Sequence, residues 1–325
     1  FPNQIEIISS EQMMDAYSSN GLPVMYNHWS FGKSFSSTAY NYKRGRMGLA
    51  YEIVINSNPC ISYLMEENTM TMQTLVIAHA AYGHNSFFKN NYLFKEWTNP
   101  DFIIDYLIYA KQFIRECEEK HGFDKVEALL DSCHTLSNYA VDSYKKPNKL
   151  TKEEILKREL AREEYLHSRI DGLEKTLPSS SSNTTDNITK KFLKEPEENV
   201  LKFIENYSPM LEDWQREVIK ITRRLSQYLF PQSQTKIMNE GWASFWHYTI
   251  LNRMYDKGLL SEGSILEFLE SHSGVIYQPS WNSKYFNGIN PYNLGFNMFK
   301  DIKRICEEPT TEDKEWFPQL VHTDW

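Results

Sequence analysis

The stretch Ile77-Ala78-His79-Ala80-Ala81-Tyr82-Gly83-His84-Asn85 decides the predicted fold, because it places two histidines in a helix that follows a strand. The strand prediction rests on the β-branched run of residues 51–56, which ends at Asn58-Pro59. From Thr69 onward, apolar side chains recur every three or four residues, which predicts a helix to about Phe88. Both histidines therefore belong to the second half of that helix.

This strand and helix resemble the core of the zincin metallopeptidases, in which two histidines of one helix bind zinc and a neighbouring glutamate activates water. The zincin histidines lie four residues apart. His79 and His84 lie five apart, so on a regular α-helix they would point about 140° away from each other. One π-helical turn, eased by Gly83, would return both to one face. The alternative is a pair of buried histidines that bond to backbone atoms.

The water-activating glutamate of the zincin motif is missing, because Ala80 stands in its place. Glu66 and Glu67 precede the histidine helix and are candidates for that base, or else simple charges at a helix N-terminus. Tyr82, on the histidine helix itself, is a candidate for contact with substrate or with a metal ligand. The sequence therefore predicts metal ligands without identifying a base beside them.

A second motif, Asn239-Glu240-Gly241-Trp242-Ala243, is similar to the helix that supplies a glutamate zinc ligand in gluzincin aminopeptidases. Glu240 lies in an apolar, aromatic stretch, where an unpaired carboxylate is costly, so it needs a metal ion or an Arg or Lys as partner. We therefore predict that His79, His84 and Glu240 bind zinc, with iron or manganese as alternatives. Asn239 and His247 are predicted to support this site or to contact substrate, and His247 is a candidate catalytic residue.

Two further histidines are candidates for a supporting or substrate-contacting role. His134 follows Asp131 by three residues, so both share one helical face and could form a pair. His28 lies in a polar and aromatic stretch that could line a cleft. For His134, a purely structural role is the competing interpretation.

Composition excludes several classes of function. The net charge is −8 and no basic patch is evident, so nucleic acid is not an expected partner. No apolar run approaches the roughly 20 residues that span a bilayer. The four cysteines have no C-x-x-C spacing, which fits a reducing compartment, and the cytoplasm is the expected location. The sequence also contains no G-x-S-x-G, phosphate loop or dinucleotide-binding fingerprint.

The predicted fold class is α+β, mainly α: a zincin-like helical core with a small sheet, interrupted by a charged helical or flexible insertion. The predicted parts are an N-terminal lobe (1–145), the insertion (146–195) and a C-terminal helical lobe (196–325). Residues 1–50 are predicted to be loops with short elements because glycines and a proline interrupt them. Pro231 is predicted to separate two helices.

Further helices are predicted from Asn99-Pro100-Asp101 to about Lys120, over 124–140 and over 294–307. The polar, aromatic loop 277–293 is suited to closing over a site.

Six strings of this chain carry a resemblance to a known family: residues 21–33, 48–59, 79–91, 239–247, 287–292 and 295–304. They resemble the stage V sporulation protein R (SpoVR) family. The resemblance runs from about residue 15 to Trp325, apart from the charged segment. It implies that a full-length protein continues beyond residue 325.

The resemblance also implies a role linked to spore cortex, or peptidoglycan, metabolism, and association with a PrkA-type serine kinase and its companion protein. It assigns no reaction and no catalytic residues. Two main interpretations stay open at this stage, and a third is a redox-active iron site that uses the same histidines and glutamate. One is a metal-dependent hydrolase of a peptide or amide bond. The other is a non-catalytic regulatory or scaffold protein whose histidines are structural, and Ala80 in the glutamate position favours it.

Overall fold

The computed structural model describes residues 1–44, 52–143 and 198–321, together with Lys157 and Ala161. Within these residues the protein is mainly helical with one small sheet, as predicted. The helices in chain order are α1 (Ser10–Ser18), α2 (Trp29–Lys43), α3 (Met70–Ile77), α4 (Asn85–Asn90), α5 (Tyr92–Trp97), α6 (Ile103–His121), α7 (Phe123–Thr135), α8 (Val200–Tyr207), α9 (Asp213–Asp256), α10 (Glu262–Val275), α11 (Pro291–Glu307) and α12 (Thr311–Trp316). A π-helical segment spans Ala78–His84, and a 3₁₀ turn spans Ser137–Tyr139.

The sheet has three strands, β1 (Asn3–Ile8), β2 (Glu52–Ile55) and β3 (Cys60–Met65). β3 is the central strand, parallel to β1 and antiparallel to β2, with Glu52 opposite Leu64. The strand predicted over residues 51–56 is therefore confirmed as β2. Its side chains alternate between the two faces, so Glu52 does not share the face of the buried Ile53.

The helix predicted from Thr69 to about Phe88 is present as α3, the π-helical segment and α4. The Thr69 side chain caps α3 by accepting a hydrogen bond from the backbone N–H of Met72 at 3.2 Å. Two histidines five residues apart need a π-helical turn if they are to share a site. The structure has this turn over Ala78–His84. Such turns are rare and are frequently found at functional sites.

The prediction that residues 1–50 are mostly loops is wrong, because the described part of this region contains β1, α1 and the 15-residue helix α2. Side chains start both helices: Ser9 and Gln12 form a capping box on α1, and the His28 ring caps α2. Gly32, taken as a helix breaker, lies inside α2. Capping and tertiary packing outweigh the low helix propensity of a single glycine.

The predicted helix break at Pro231 is also wrong, since α9 continues through it for 44 residues. Proline removes one backbone hydrogen bond, but residues on both sides of it, such as Leu225 and Ala243, are buried and hold the helix together. Other helix ends differ by a few residues. α6 begins at Ile103 rather than at the Asn99–Asp101 signal, α7 ends at Thr135 rather than at residue 140, and α11 begins at Pro291 rather than at residue 294.

The largest core cluster joins α6, α7 and α9, through residues such as Leu107, Leu130 and Ile221. A second cluster, with Leu64, Val76 and Phe268, packs β3 and α3 against α9 and α10. Apart from Lys157 and Ala161, the predicted insertion 146–195 lies outside the described residues, and the lobe boundaries stay a prediction. None of the described helices has the length and apolarity needed to cross a membrane.

Glycines bring α9 into backbone contact with two elements, the π-helical segment that contains the histidines and α11. A Cβ placed on Gly83 of the π-helical segment would lie 2.6 Å from Ala243 Cα of α9. A Cβ on Gly241 would collide with the backbone of Gly295 on α11. Only glycine permits such close approaches, so α9 sits directly against the π-helical segment on one side and α11 on the other.

Candidate metal site

Two histidines and two glutamates meet at one point between β2, the π-helical segment and α9. Their facing atoms are His79 Nε2, His84 Nε2, Glu52 Oε1 and Glu240 Oε2. His79 Nε2 lies 3.3 Å from the Glu52 oxygen and 3.7 Å from the Glu240 oxygen. For His84 Nε2 the two distances are 3.8 and 3.7 Å. Ligands about 2.1 Å from a tetrahedral zinc ion lie about 3.4 Å apart, so this spacing fits a slightly expanded metal site.

The π-helical turn produces this convergence. It brings the rings of His79 and His84 to a centroid separation of 4.7 Å, nearly perpendicular to each other. Both rings are buried. Glu240 comes from α9, which the contact between Gly83 and Ala243 holds against the same turn. Ligand atoms of Glu52, His79 and His84 all lie within 4.8 Å of one another.

Hydrogen bonds at the far side of each imidazole leave Nε2 free to bind a metal. His84 Nδ1 lies 2.9 Å from Asn239 Oδ1, and because that oxygen can only accept, Nδ1 carries the proton. Neutral His84 then presents the lone pair of Nε2 to the glutamates. A carbonyl behind a ligating histidine is the usual arrangement in metal sites.

A chain of three histidines supports His79 in the same way. His79 Nδ1 lies 2.8 Å from His247 Nδ1, and His247 Nε2 lies 2.7 Å from His272 Nδ1. If each ring donates to the next, His79 Nε2 keeps its lone pair for a metal ion. Burial opposes a charge on His79, but the carboxylates of Glu52 and Glu240 outweigh it and raise the pKa of this histidine. All three side chains are buried.

The pKa shifts of the cluster reflect its burial and the attraction between its carboxylates and imidazoles. Burial, with the charge of Glu240 adding to it, raises the pKa of Glu52 to about 7 although His79 opposes the shift. Burial also acts to raise the pKa of Glu240, but its interactions with His79 and His84 outweigh that and lower the pKa to about 2. Burial lowers the pKa of His84 to about 4. The buried Glu240 Oε2 has no hydrogen-bond partner among the described residues, and its ion-pair contacts there are histidines rather than Arg or Lys.

The cluster faces a cavity of about 990 Å³. Tyr292, the second residue of α11, lines this cavity and its hydroxyl bonds to the Glu240 carboxylate. No Lys or Arg is found among the described residues that line it. The cavity therefore gives a neutral or cationic ligand access to the candidate metal site.

A known protein family matches this chain over its whole length. The family described as SpoVR-like protein matches residues 1–325. The chain belongs to the SpoVR-like family. It is 60% identical over all of its 325 residues to the uncharacterized protein YcgB of Escherichia coli strain K12, and it spans 64% of that relative's length. No solved structure matches it.

Several predicted site residues of this SpoVR-like protein lie in or behind the cluster. His79, His84 and Glu240 come together. Asn239 and His247 line the cavity and bond to His84 and His79, respectively.

Other predicted site residues lie elsewhere in this SpoVR-like protein. Glu66 and Glu67 are exposed in the turn between β3 and α3 and do not line the cavity. Tyr82 is 45% exposed and packs against Trp246.

His28 and His134 form a separate cluster at the start of α2. His28 Nε2 lies 3.3 Å from Glu127 Oε2 and 3.2 Å from Asp131 Oδ1. His134 Nε2 lies 2.6 Å from the Tyr26 hydroxyl, and its ring contacts that of His28. His28 Nδ1 accepts a hydrogen bond from the Ser30 backbone N–H, so Nε2 carries the proton of the neutral ring and faces the carboxylates as a donor. This arrangement fixes the start of α2 and leaves the neutral His28 ring no lone pair toward the carboxylates.

Sequence reasoning did not identify Glu52, His272 or Tyr292 as site residues. The signal for Glu52 was present, since it is a carboxylate at the start of an otherwise apolar strand and alternates with the buried Ile53. Tyr292 had a weaker signal, as a member of the polar, aromatic stretch 277–293 that runs into α11. Nothing in the local sequence of His272 indicates that it lies behind His247.

Proposed function

We propose that this SpoVR-like protein binds one divalent metal ion through His79, His84 and Glu240, with Glu52 beside them. The observation that carries the proposal is that the Nε2 atoms of both histidines lie 3.3–3.8 Å from an oxygen of each of the two glutamates. The buried, unpartnered Glu240 oxygen supports it, because a cation at that point would satisfy it. Nitrogen and oxygen ligands without a thiolate suit zinc, with iron and manganese as alternatives.

The proposed activity is metal-dependent hydrolysis of a peptide or amide bond on a zincin-like core. A divalent ion in such a site lowers the pKa of bound water and polarises a carbonyl group. Asn239 and His247 would hold the ligand histidines in orientation. Glu52, from the neighbouring strand, has a carboxylate oxygen 3.3 Å from His79 Nε2, so it is the candidate base that Ala80 cannot be. Tyr292 would orient Glu240 through its hydroxyl group.

Non-catalytic action as a scaffold is the second candidate, and Ala80 in the glutamate position favours it. In that case the metal site would stabilise the fold, and a closed set of four protein ligands, with Glu52 as the fourth, would leave no position for substrate. The link to spore cortex metabolism, the PrkA-type kinase and its companion protein, and a cytoplasmic location are proposals that rest on family resemblance under either candidate.

Metal analysis tests the shared premise. Untagged protein purified without a nickel column should contain about one equivalent of zinc, iron or manganese per chain. Dialysis against a chelator should lower the melting temperature, and the missing metal should restore it, because bound metal stabilises the folded state. The proposal would be contradicted if the protein contained no metal and its melting temperature did not change on addition of zinc, iron or manganese.

Replacing Glu52 with glutamine separates the two candidate functions. If Glu52 is the base, Glu52→Gln should retain its metal, since three protein ligands suffice in catalytic zinc sites, and lose at least about 100-fold in hydrolysis. Cleavage of a mixture of internally quenched peptides and metal content would be measured on the same preparation. Glu66→Gln is the competing variant and should behave as the parent protein. Loss of metal from Glu52→Gln would instead indicate that Glu52 is a metal ligand. It would favour the scaffold candidate, in which four protein ligands close the metal site.

A further inference from the structure

A second cavity, of about 520 Å³, lies beside the one that contains the candidate metal site. The two cavities share Asn20 and Leu229 as lining residues, so they are neighbouring parts of one cleft. Asn20 and Gly21 have left-handed backbone conformations, with φ of 58° and 73°. This tight bend between α1 and α2 places Asn20 at the junction, opposite Leu229 of α9.

The second cavity is lined by uncharged groups. Its described lining residues include no Lys, Arg, Asp or Glu, and burial lowers the pKa of His134 to about 4, which keeps that ring neutral. The lining combines hydroxyl and amide side chains with apolar side chains. The polar members, besides His134, are Asn20, Tyr26, Ser30, Ser137, Asn138, Thr222, Ser226, Ser233 and Gln234. A phosphate or carboxylate would find no counter-charge here, so the cavity suits an uncharged ligand that forms hydrogen bonds.

Several of these hydroxyl groups can only accept further hydrogen bonds. Ser226 Oγ donates its hydrogen to Thr222 O at 2.9 Å, and Ser233 Oγ donates to Phe230 O at 2.8 Å. Ser30 Oγ lies 2.6 Å from His28 Nδ1, the nitrogen that also accepts from the Ser30 N–H, so Ser30 Oγ is the donor. Each oxygen therefore offers lone pairs to the cavity, which match N–H donors such as those of peptide bonds.

We propose that the second cavity binds the uncharged part of a peptide chain that extends from the amide bond held at the candidate metal site. The inference rests on the proposed function, because it gives the hydrolase an extended peptide substrate rather than a small amide. Asn20 and Leu229 form the passage through which the chain runs from one cavity to the other. A glycan fits less well, because vicinal sugar hydroxyls are best bound by carboxylates, which the described lining of this cavity lacks.

Hydroxamates, which chelate zinc, provide probes for the zinc-loaded chain. Acetohydroxamate reports on the metal site alone. Two longer probes carry the uncharged tail Ala-Ser-Gly-Ala on one or the other side of the hydroxamate group. The better of the two should bind at least about tenfold more tightly than acetohydroxamate by calorimetry. A tail of four glutamates should give no such gain.

Filling the second cavity should remove the gain from the tail. Ser226→Trp places a large ring among its lining residues and should reduce the long probe to the affinity of acetohydroxamate, while acetohydroxamate itself binds unchanged. Ser132→Trp is the matched control. Ser132 also donates to the carbonyl four residues earlier, at 2.8 Å, but it is exposed on α7 and does not line the cavity. It should retain the full gain.

The outcomes separate this inference from the proposed function. Binding of acetohydroxamate without any gain from either peptide tail would overturn the inference and leave the metal site standing. A larger gain from a tail of two N-acetylglucosamine units would overturn the peptide assignment. If no hydroxamate binds, the peptide Ala-Ser-Gly-Ala is tested as a simple amide. Binding of this amide that Ser226→Trp abolishes would support the second cavity as a peptide site without the metal. Absence of binding would overturn the inference.

Discussion

Replacing His84 with alanine should remove the bound metal and lower the stability of the chain together. The change deletes the Nε2 ligand and leaves Asn239 Oδ1 without its buried partner. A metal present at about 100 times its dissociation constant contributes about 2.7 kcal/mol, so a loss of about 3 kcal/mol or more in the free energy of unfolding is expected. Metal content and urea unfolding, each with and without chelator, are the measurements.

The chelator separates the two causes of this loss. In metal-free protein the difference between His84→Ala and the parent should shrink to the cost of the lost side chain alone. His121→Ala is the control, because that ring stacks on Trp214 at the end of α6, away from the cluster. It should keep its metal. A His84→Ala protein with full metal content would refute the ligand assignment.

Replacing Gly83 with alanine should be about as damaging, although it adds a single methyl group. The new Cβ would meet Ala243 Cα at 2.6 Å, and neither atom can move without shifting a helix backbone. Relief requires the π-helical segment to separate from α9, which would also part the histidines from Glu240. We expect a loss of about 3 kcal/mol or more in unfolding free energy, at the upper end for overpacked sites, together with weaker metal binding.

Gly274→Ala is the matched control for this substitution. Gly274 lies near the end of α10, with ordinary helical backbone geometry and open space where its Cβ would stand. Alanine there should stabilise the protein by up to about 1 kcal/mol, because it favours the helix. Thermal unfolding of the two variants compares them directly. Equal stability of Gly83→Ala and the parent would mean that α9 and the π-helical segment do not touch as described.

The part of the site that could be predicted from the sequence is the part carried by local patterns. A β-branched run, helical periodicity and two histidines five residues apart indicated β2, the histidine helix and the need for a π-helical turn. The similarity of the stretch around Glu240 to a known ligand helix added the third side chain. These signals are local, since each depends on neighbours within a few residues.

The remainder depends on contacts between distant segments. Glu52 reaches the site only because β2 lies against the histidines. His272 reaches it only because α10 packs behind His247. Likewise, Pro231 breaks isolated helices, and only the buried residues on both sides of it keep α9 continuous. Periodicity along the chain does not encode such pairings, so the partners of Glu52 and His272 and the continuity of α9 could not be predicted.

The continuity of α9 restricts how this chain can change in length. Its 44 residues form one rod of about 66 Å, which carries Thr222, Ser226 and Leu229 of the cleft and, further along, Asn239 and Glu240. One residue inserted or deleted between Pro231 and Asn239 would turn every later side chain by about 100° relative to the earlier ones. Glu240 would leave the histidines, and Gly241 would no longer face Gly295. Homologues should therefore vary in length in the connections that flank α9, at 208–212 and 257–261, and hold the spacing within the helix constant.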